Sequence, residues 1–225
     1  MSGRILRFDS LDSTQNAAAG QPRGTVVVAD HQTDGQGRHG HSWYSERGTG
    51  IYCSMVLEPR PLLTLALGVA TVEAIAHATG ITCDLRWPND LLLDGRKVAG
   101  ILVQIVNGDA IAGIGINVNH TSLPADLEAT SLRMHANRVF SREEIFTALI
   151  AAIDEIVPNL APQDILRLFT RASSFVAGCR VTVDQPGGAI TGTTAGLNSD
   201  GYLVVRSDEG IDTLILAGGV RAAGT

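Results

Sequence analysis

Two patterns of punctuation divide this chain, and they constrain its fold more than any other feature. Up to about residue 174, apolar segments of strand length alternate with helix-length ones. From Phe175 onward, short apolar stretches follow one another closely, broken by Pro-Gly-Gly, Asn-Ser-Asp-Gly and Asp-Glu-Gly. The first pattern suits a sheet backed by helices. The second suits a small β-barrel, because turns at such short intervals leave no room for helical crossovers. The chain is therefore expected to be α+β, with a mixed β-sheet and packed helices over residues 1–174 and a compact β unit over residues 175–225.

Local signals fill in this plan. Asp12-Ser13-Thr14 stands before an Ala-rich run and reads as the N-cap of a short helix. Gly24–Ala29, GTVVVA, is a β-branched burst and hence a buried strand, and Ile51–Leu57 reads as another. Leu62–Gly80 has helical periodicity and a terminal glycine. Cys83–Trp87, Lys97–Val106 and Ala110–Asn117 read as extended. Ser141-Arg142-Glu143-Glu144 is a capping box whose helix should stop at Pro158, and a further helix is expected over Gln163–Ser173. In the tail, Cys179–Asp184, Ala189–Leu197, Tyr202–Ser207 and Thr213–Leu216 are four strand candidates.

Composition narrows the function classes. With 225 residues and 44% hydrophobic content the chain can bury one sizeable core, which excludes a disordered or fibrous protein. A net charge of −6 offers no global attraction to nucleic acid or anionic membranes, so an anion site must be local and a DNA face is not expected. Cys53, Cys83 and Cys179 are odd in number and lack CxxC spacing, which argues against a disulfide framework or a zinc cluster and for a cytoplasmic compartment. No stretch is apolar enough for a signal core or a bilayer span.

Three segments carry chemistry. In GQGRHGHSW, Gly35, Gly37 and Gly40 allow backbone N–H groups to approach a ligand, Arg38 offers a planar cation for phosphate or carboxylate, and Trp43 offers a flat face for a base. His39 and His41 alone are too few to hold zinc. In RWPNDLLLDGRKVAGIL, Asn89 and Asp90 sit in a turn, and Lys97 enters a strand beside Gly100, which leaves room for a ligand. In GIGINVN, Gly113 and Gly115 occupy alternate strand positions, and Asn117 can present donor and acceptor to a base edge. Read as residues alone, each also fits a bland role as a flexible loop, a turn or a strand.

Together, in this order, the three segments resemble the signatures of biotin protein ligases, and the resemblance runs along nearly the whole chain. It implies a catalytic domain related to class II aminoacyl-tRNA synthetases and lipoate ligases, followed by an SH3-like C-terminal domain. It implies activation of biotin by ATP with Mg²⁺ to biotinyl-5′-AMP, then transfer to a lysine on the biotin acceptor domain of a biotin-dependent carboxylase. By resemblance Lys97 and Arg38 are catalytic. Ser13, Thr14, Gln15, Gln32, Gly35, Gln36, Gly37, Gly100, Gly113 and Gly115 would join them around biotin. His39, His41, Trp43, Asn89, Asp90 and Asn117 would join them around ATP, with Asp90 facing the metal. The sequence leaves a homodimer open.

The departures are specific. Gln36, His39 and His41 stand where the family loop is richer in arginine, Gln15 stands for its common Asn, and Arg86 for its common Lys. The chain starts almost at the catalytic domain, so the winged helix of repressor relatives is not expected. Two rival readings remain: a lipoate or octanoyl transferase, which would lack the glycine loop and the WPND turn, and a biotin-binding module that does no chemistry.

Overall fold

A computed structural model describes residues 3–185 and 188–223. In chain order its elements are β1 (Ile5–Phe8), α1 (Thr14–Ala18), β2 (Val26–Ala29), β3 (Gly50–Leu57), α2 (Leu63–Thr79), β4 (Asp84–Arg86), β5 (Asp90–Leu93), β6 (Arg96–Val106) and β7 (Asp109–Asn117). The helices α3 (Leu132–Ala136), α4 (Arg142–Asn159) and α5 (Pro162–Arg171) follow, then β8 (Ala177–Asp184), β9 (Ile190–Leu197), β10 (Leu203–Arg206), β11 (Asp212–Ile215) and β12 (Gly219–Ala222).

The seven strands of the main sheet run β1-β2-β3-β7-β6-β5-β4. Only β1 and β2 pair in parallel; the rest of the ladder is antiparallel, so the sheet is mixed as expected. Asp94-Gly95 and Asn107-Gly108 both adopt positive φ and close the β5–β6 and β6–β7 hairpins, which is the conformation that tight hairpin turns favour.

Strand alternation sends the two faces of the sheet to different tasks. On one face Cys53 and Met55 of β3, with Ile114 and Ile116 of β7, join Leu67 and Ile75 of α2 and Leu149 and Ile153 of α4 in the main core. On the other face α1 covers only one end, where Ala18 packs with Val27, Val56 and Ile111. Beyond it, Gly113 and Gly115 of β7 leave a strip without side chains.

Several local signals acted as written. Ser13 caps α1 by accepting from the Gln15 N–H, Ser141 caps α4 by accepting from the Glu144 N–H, and Gly80 ends α2 in the left-handed region. Pro158 does not stop α4; it lies in the final turn, which runs on to Asn159. Ring φ is already helical, and a missing N–H costs only one bond in a last turn.

The C-terminal sheet is ordered β11-β10-β9-β8-β12, with a fifth strand, β12, after the four that were expected. Among the described residues this ladder leaves β11 and β12 as its ends and does not close into a barrel. It is fastened to the main domain by Trp87, whose indole N–H donates to the Gly201 carbonyl at 2.9 Å. No helix among the described residues is long and apolar enough to cross a membrane. All three cysteines are unpaired, and burial pushes the thiols of Cys53 and Cys83 up to about 12, which makes them inert packing groups.

Candidate functional site

The bare strip of β7 is the floor of a slot. Gly113 and Gly115 face it because Ile114 and Ile116 take the core side, and Tyr52 and Ser54 of β3 lie beside them in register, Tyr52 opposite Gly115 and Ser54 opposite Gly113. Gly100 of β6 pairs with Gly115 and extends the floor. A Cβ on Gly115 would stand 2.4 Å from the Trp43 ring, and one on Gly100 would stand 2.9 Å from both Trp43 and Lys97. The indole therefore rests directly on two glycines, and only about 40 Å³ of the slot is free.

Lys97 reaches this slot through an irregularity. Asp90 of β5 pairs with Gly100 and Leu91 with Ala99, but Leu92 pairs with Lys97, so Val98 is an extra residue in β6. Val98 and Ala99 both enter the core, and the bulge turns Lys97 onto the face that holds Gly100. The backbone of Lys97 is clamped by the Glu128 carbonyl at 2.9 Å and the Thr130 N–H at 2.8 Å.

Arg38 comes to the same place from the glycine loop. The loop folds on itself, with the Gly37 N–H donating to the His41 carbonyl and the Trp43 N–H to the Gly35 carbonyl, both at 2.7 Å. Arg38 Nη1 donates to Asn89 Oδ1 at 2.8 Å, while Asn89 Nδ2 donates to the Ile101 carbonyl at 2.9 Å. Asn89 is thus a brace between sheet and loop. Burial pulls the Arg38 pKa down and nearby Asp90 opposes it, yet a guanidinium stays charged.

Asp90 spends both oxygens on protein cations: Oδ1 lies 2.6 Å from Lys97 Nζ and Oδ2 accepts from Arg86 at 2.8 Å. Burial pushes its carboxyl up, but Lys97 and Arg86 together outweigh this and hold it below the usual carboxylate range. In this structure the carboxylate expected on the metal side is paired with both cations, and no group of three metal-ligating side chains exists among the described residues.

The remaining expected residues divide between the slot and an adjoining cleft. Ser13, Thr14, Gln15, Gln32, Gln36 and Gly37 line the slot. His39, His41, Asn89, Asp90 and Asn117 line a cleft of about 1130 Å³ that shares Arg38, Trp43 and Lys97 with the slot. Asn117 is buried and donates to the Thr130 carbonyl at 3.1 Å, leaving its own carbonyl to a ligand. Gly35 lines neither; a Cβ there would meet the Trp43 carbonyl at 2.5 Å, so its smallness lets the loop close. His39 takes φ 56° within the loop. Asp184, Gln185 and Arg221 bring the C-terminal sheet to the cleft rim.

Sequence reasoning missed Tyr52 and Ser54, which line the slot, and Gln104 of β6, which accepts from Gln15 Nε2. The first two were readable from the period-2 alternation of β3, which puts Tyr52 and Ser54 on the face that Cys53 and Met55 avoid. Gln104 became visible only with the register of β6.

Comparison with known proteins places this arrangement. Residues 8–120 match the biotin/lipoate A/B protein ligase family, and residues 177–218 match the biotin protein ligase C terminal domain. The bifunctional ligase/repressor BirA of Bacillus subtilis is 32% identical, over 96% of this chain and 74% of its own length. The biotin–acetyl-CoA-carboxylase ligase of Mycobacterium tuberculosis is 31% identical over 93% of this chain and 83% of its own. Among solved structures, the biotin protein ligase from Aquifex aeolicus in complex with biotin and ATP superposes with a TM-score of 0.87 at 30% identity, covering 98% of this chain and 99% of that one. A chain that shares nearly its full length with these ligases, and whose three signature segments meet at one slot, belongs to the biotin/lipoate A/B protein ligase family.

Proposed function

We propose that this chain is a biotin protein ligase that couples biotin to ATP and passes it to a lysine of a carboxylase acceptor domain. The observation that carries this is the convergence of Lys97 and Arg38 on one slot and one cleft. Carboxylate and triphosphate repel each other, so a site that joins them needs fixed cations in a water-poor place. The slot takes the ring and tail of biotin; the cleft takes the nucleotide.

In the first step a biotin carboxylate oxygen attacks the α-phosphorus of ATP, and the bond to the pyrophosphate oxygen breaks. Lys97 leaves Asp90 and bridges the carboxylate and the α-phosphate as charge builds on the phosphoryl oxygens. Arg38, braced by Asn89, faces the phosphates and screens the adenylate from water. In the second step a neutral acceptor amine attacks the acyl carbon and AMP departs. Magnesium enters with the nucleotide as substrate, held by phosphate oxygens. The net charge of −6 argues against nucleic acid as a partner, and unpaired thiols fit a cytoplasmic setting.

The direct test mixes the chain with biotin, Mg-ATP and a carboxylase biotin domain and weighs the acceptor, which should gain one biotinyl group on lysine. Lipoate in place of biotin should give no gain. Biotin that binds tightly without pyrophosphate release would identify the non-catalytic module instead.

Trp43 gives a second test. About 40 Å³ is far below the roughly 300 Å³ of a small-molecule site. Biotin must therefore lift the indole from Gly100 and Gly115. In the Trp87→Phe variant Trp43 is the sole indole, and saturating biotin should shift its emission. An unchanged spectrum would contradict entry by this route.

A further inference from the structure

The side-chain amide of Gln15 is oriented by the sheet and not by the slot. Its Nε2 donates to Gln104 Oε1 at 3.0 Å and to the Ile111 carbonyl at 3.2 Å. Both amide protons are thereby spent on the wall, and Oε1 must face the other way. That oxygen is buried without a partner, and it lies 2.7 Å from the point a Cβ on Gly113 would occupy, in the lining of the slot.

Thr14 and Ser54 beside it have also given up their hydroxyl protons. Thr14 Oγ1 donates to Gln32 Oε1, so in its 2.8 Å contact with Ser54 the serine is the donor. Gln32 Nε2 donates to Ser45 Oγ, and Ser45 donates onward to the Trp43 carbonyl. Ser54 Oγ lies 3.4 Å from the same Gly113 point. Gln15 and Ser54 therefore present only lone pairs, and a buried acceptor left without a donor is costly. Such a lining rewards a ring that carries N–H groups.

We propose that Gln104 is a positioning residue for substrate specificity: by holding Gln15 Nε2 it aims Gln15 Oε1 at a ring N–H, so that this chain selects a ureido head over a dithiolane ring. The proposal rests on the biotin reading above and names what decides it. Gln104 does not line the slot; its side chain is exposed and acts through Gln15.

The test is biotin affinity of the full chain, measured by calorimetry without ATP, for the parent and the variants Gln104→Leu, Gln104→Glu and Gln15→Leu. Gln104→Leu should weaken biotin about fivefold to tenfold. Gln104→Glu, whose carboxylate still accepts from Gln15 Nε2, should return to within about twofold of the parent, while Gln15→Leu should lose roughly tenfold or more. ATP affinity should stay unchanged in both Gln104 variants. Gln104→Leu with parental biotin affinity, or Gln104→Glu as weak as the leucine variant, would overturn the proposal. A parent that binds biotin but releases no pyrophosphate with Mg-ATP overturns the ligase reading alone, and one that binds no biotin overturns both.

Discussion

Replacing Lys97 by alanine is expected to slow biotin-dependent pyrophosphate release by about a hundredfold to a thousandfold, with the fold intact. The size follows from the role. A preorganised cation at the developing phosphoryl charge acts where water is excluded, and losing one such donor typically costs 10²–10³, roughly, in kcat. Lys97 alone reaches both the slot and the cleft as an ammonium, and Arg38 is tied to Asn89. The fold survives because Asp90 keeps Arg86. Lys97→Met preserves the stem and should be equally inactive. Lys97→Arg should not rescue, since the Cε and Nζ of Lys97 already lie within 3.0 Å of the Gly100 Cβ point and a planar fork needs more room. Pyrophosphate release at the parental rate in Lys97→Ala, followed by a coupled colour assay, would remove the lysine from the mechanism.

Asp90→Ala is expected to be the most damaging change to stability at the site. It leaves Lys97 and Arg86, both largely buried, facing each other without a counter-charge. Removing one partner of such a pair costs about 3 kcal/mol, which for a chain of this size lowers the melting temperature by roughly 6–12 °C. The pH dependence has a definite sign. The folded pKa of Asp90 lies below its ordinary value of 3.8. Its contribution is therefore complete above that value and is lost as the pH falls through the folded pKa. Thermal melts of parent and variant should differ most near neutral pH and converge in acid. A difference that is constant down to about pH 2 would show that Asp90 acts through shape and not through charge.

Asp90 also illustrates a gap between motif and structure. As a turn residue after Trp-Pro-Asn it was legible as a site residue, and the metal was the partner chemistry suggested first. In this structure it holds two cations, and one of them, Arg86, stands where the family commonly has lysine. A guanidinium can hold one carboxylate oxygen while Lys97 holds the other.

What the sequence determined by itself is most of the elements and the identity of the chemistry. β-branched bursts, an N-cap serine, a terminal glycine and two Xaa-Gly turns act over a few residues, so they could be read without partners. The alternation of GIGIN already separated core isoleucines from glycines on the opposite face. β1 was not legible, because Ile5–Phe8 is a mostly exposed edge strand with no buried stripe, and β12 was hidden among glycines.

Tertiary structure decided where the chemistry points. Counted back from Gly100 with period two, Val98 would face the slot and Lys97 the core; the bulge opposite Leu91 and Leu92 reverses this. Likewise, nothing near Gln15 in sequence says that Gln104 takes its amide protons, or that Asn89 takes Arg38. Register and amide orientation are set by contacts between residues far apart in the chain, and those contacts exist only once the sheet has closed.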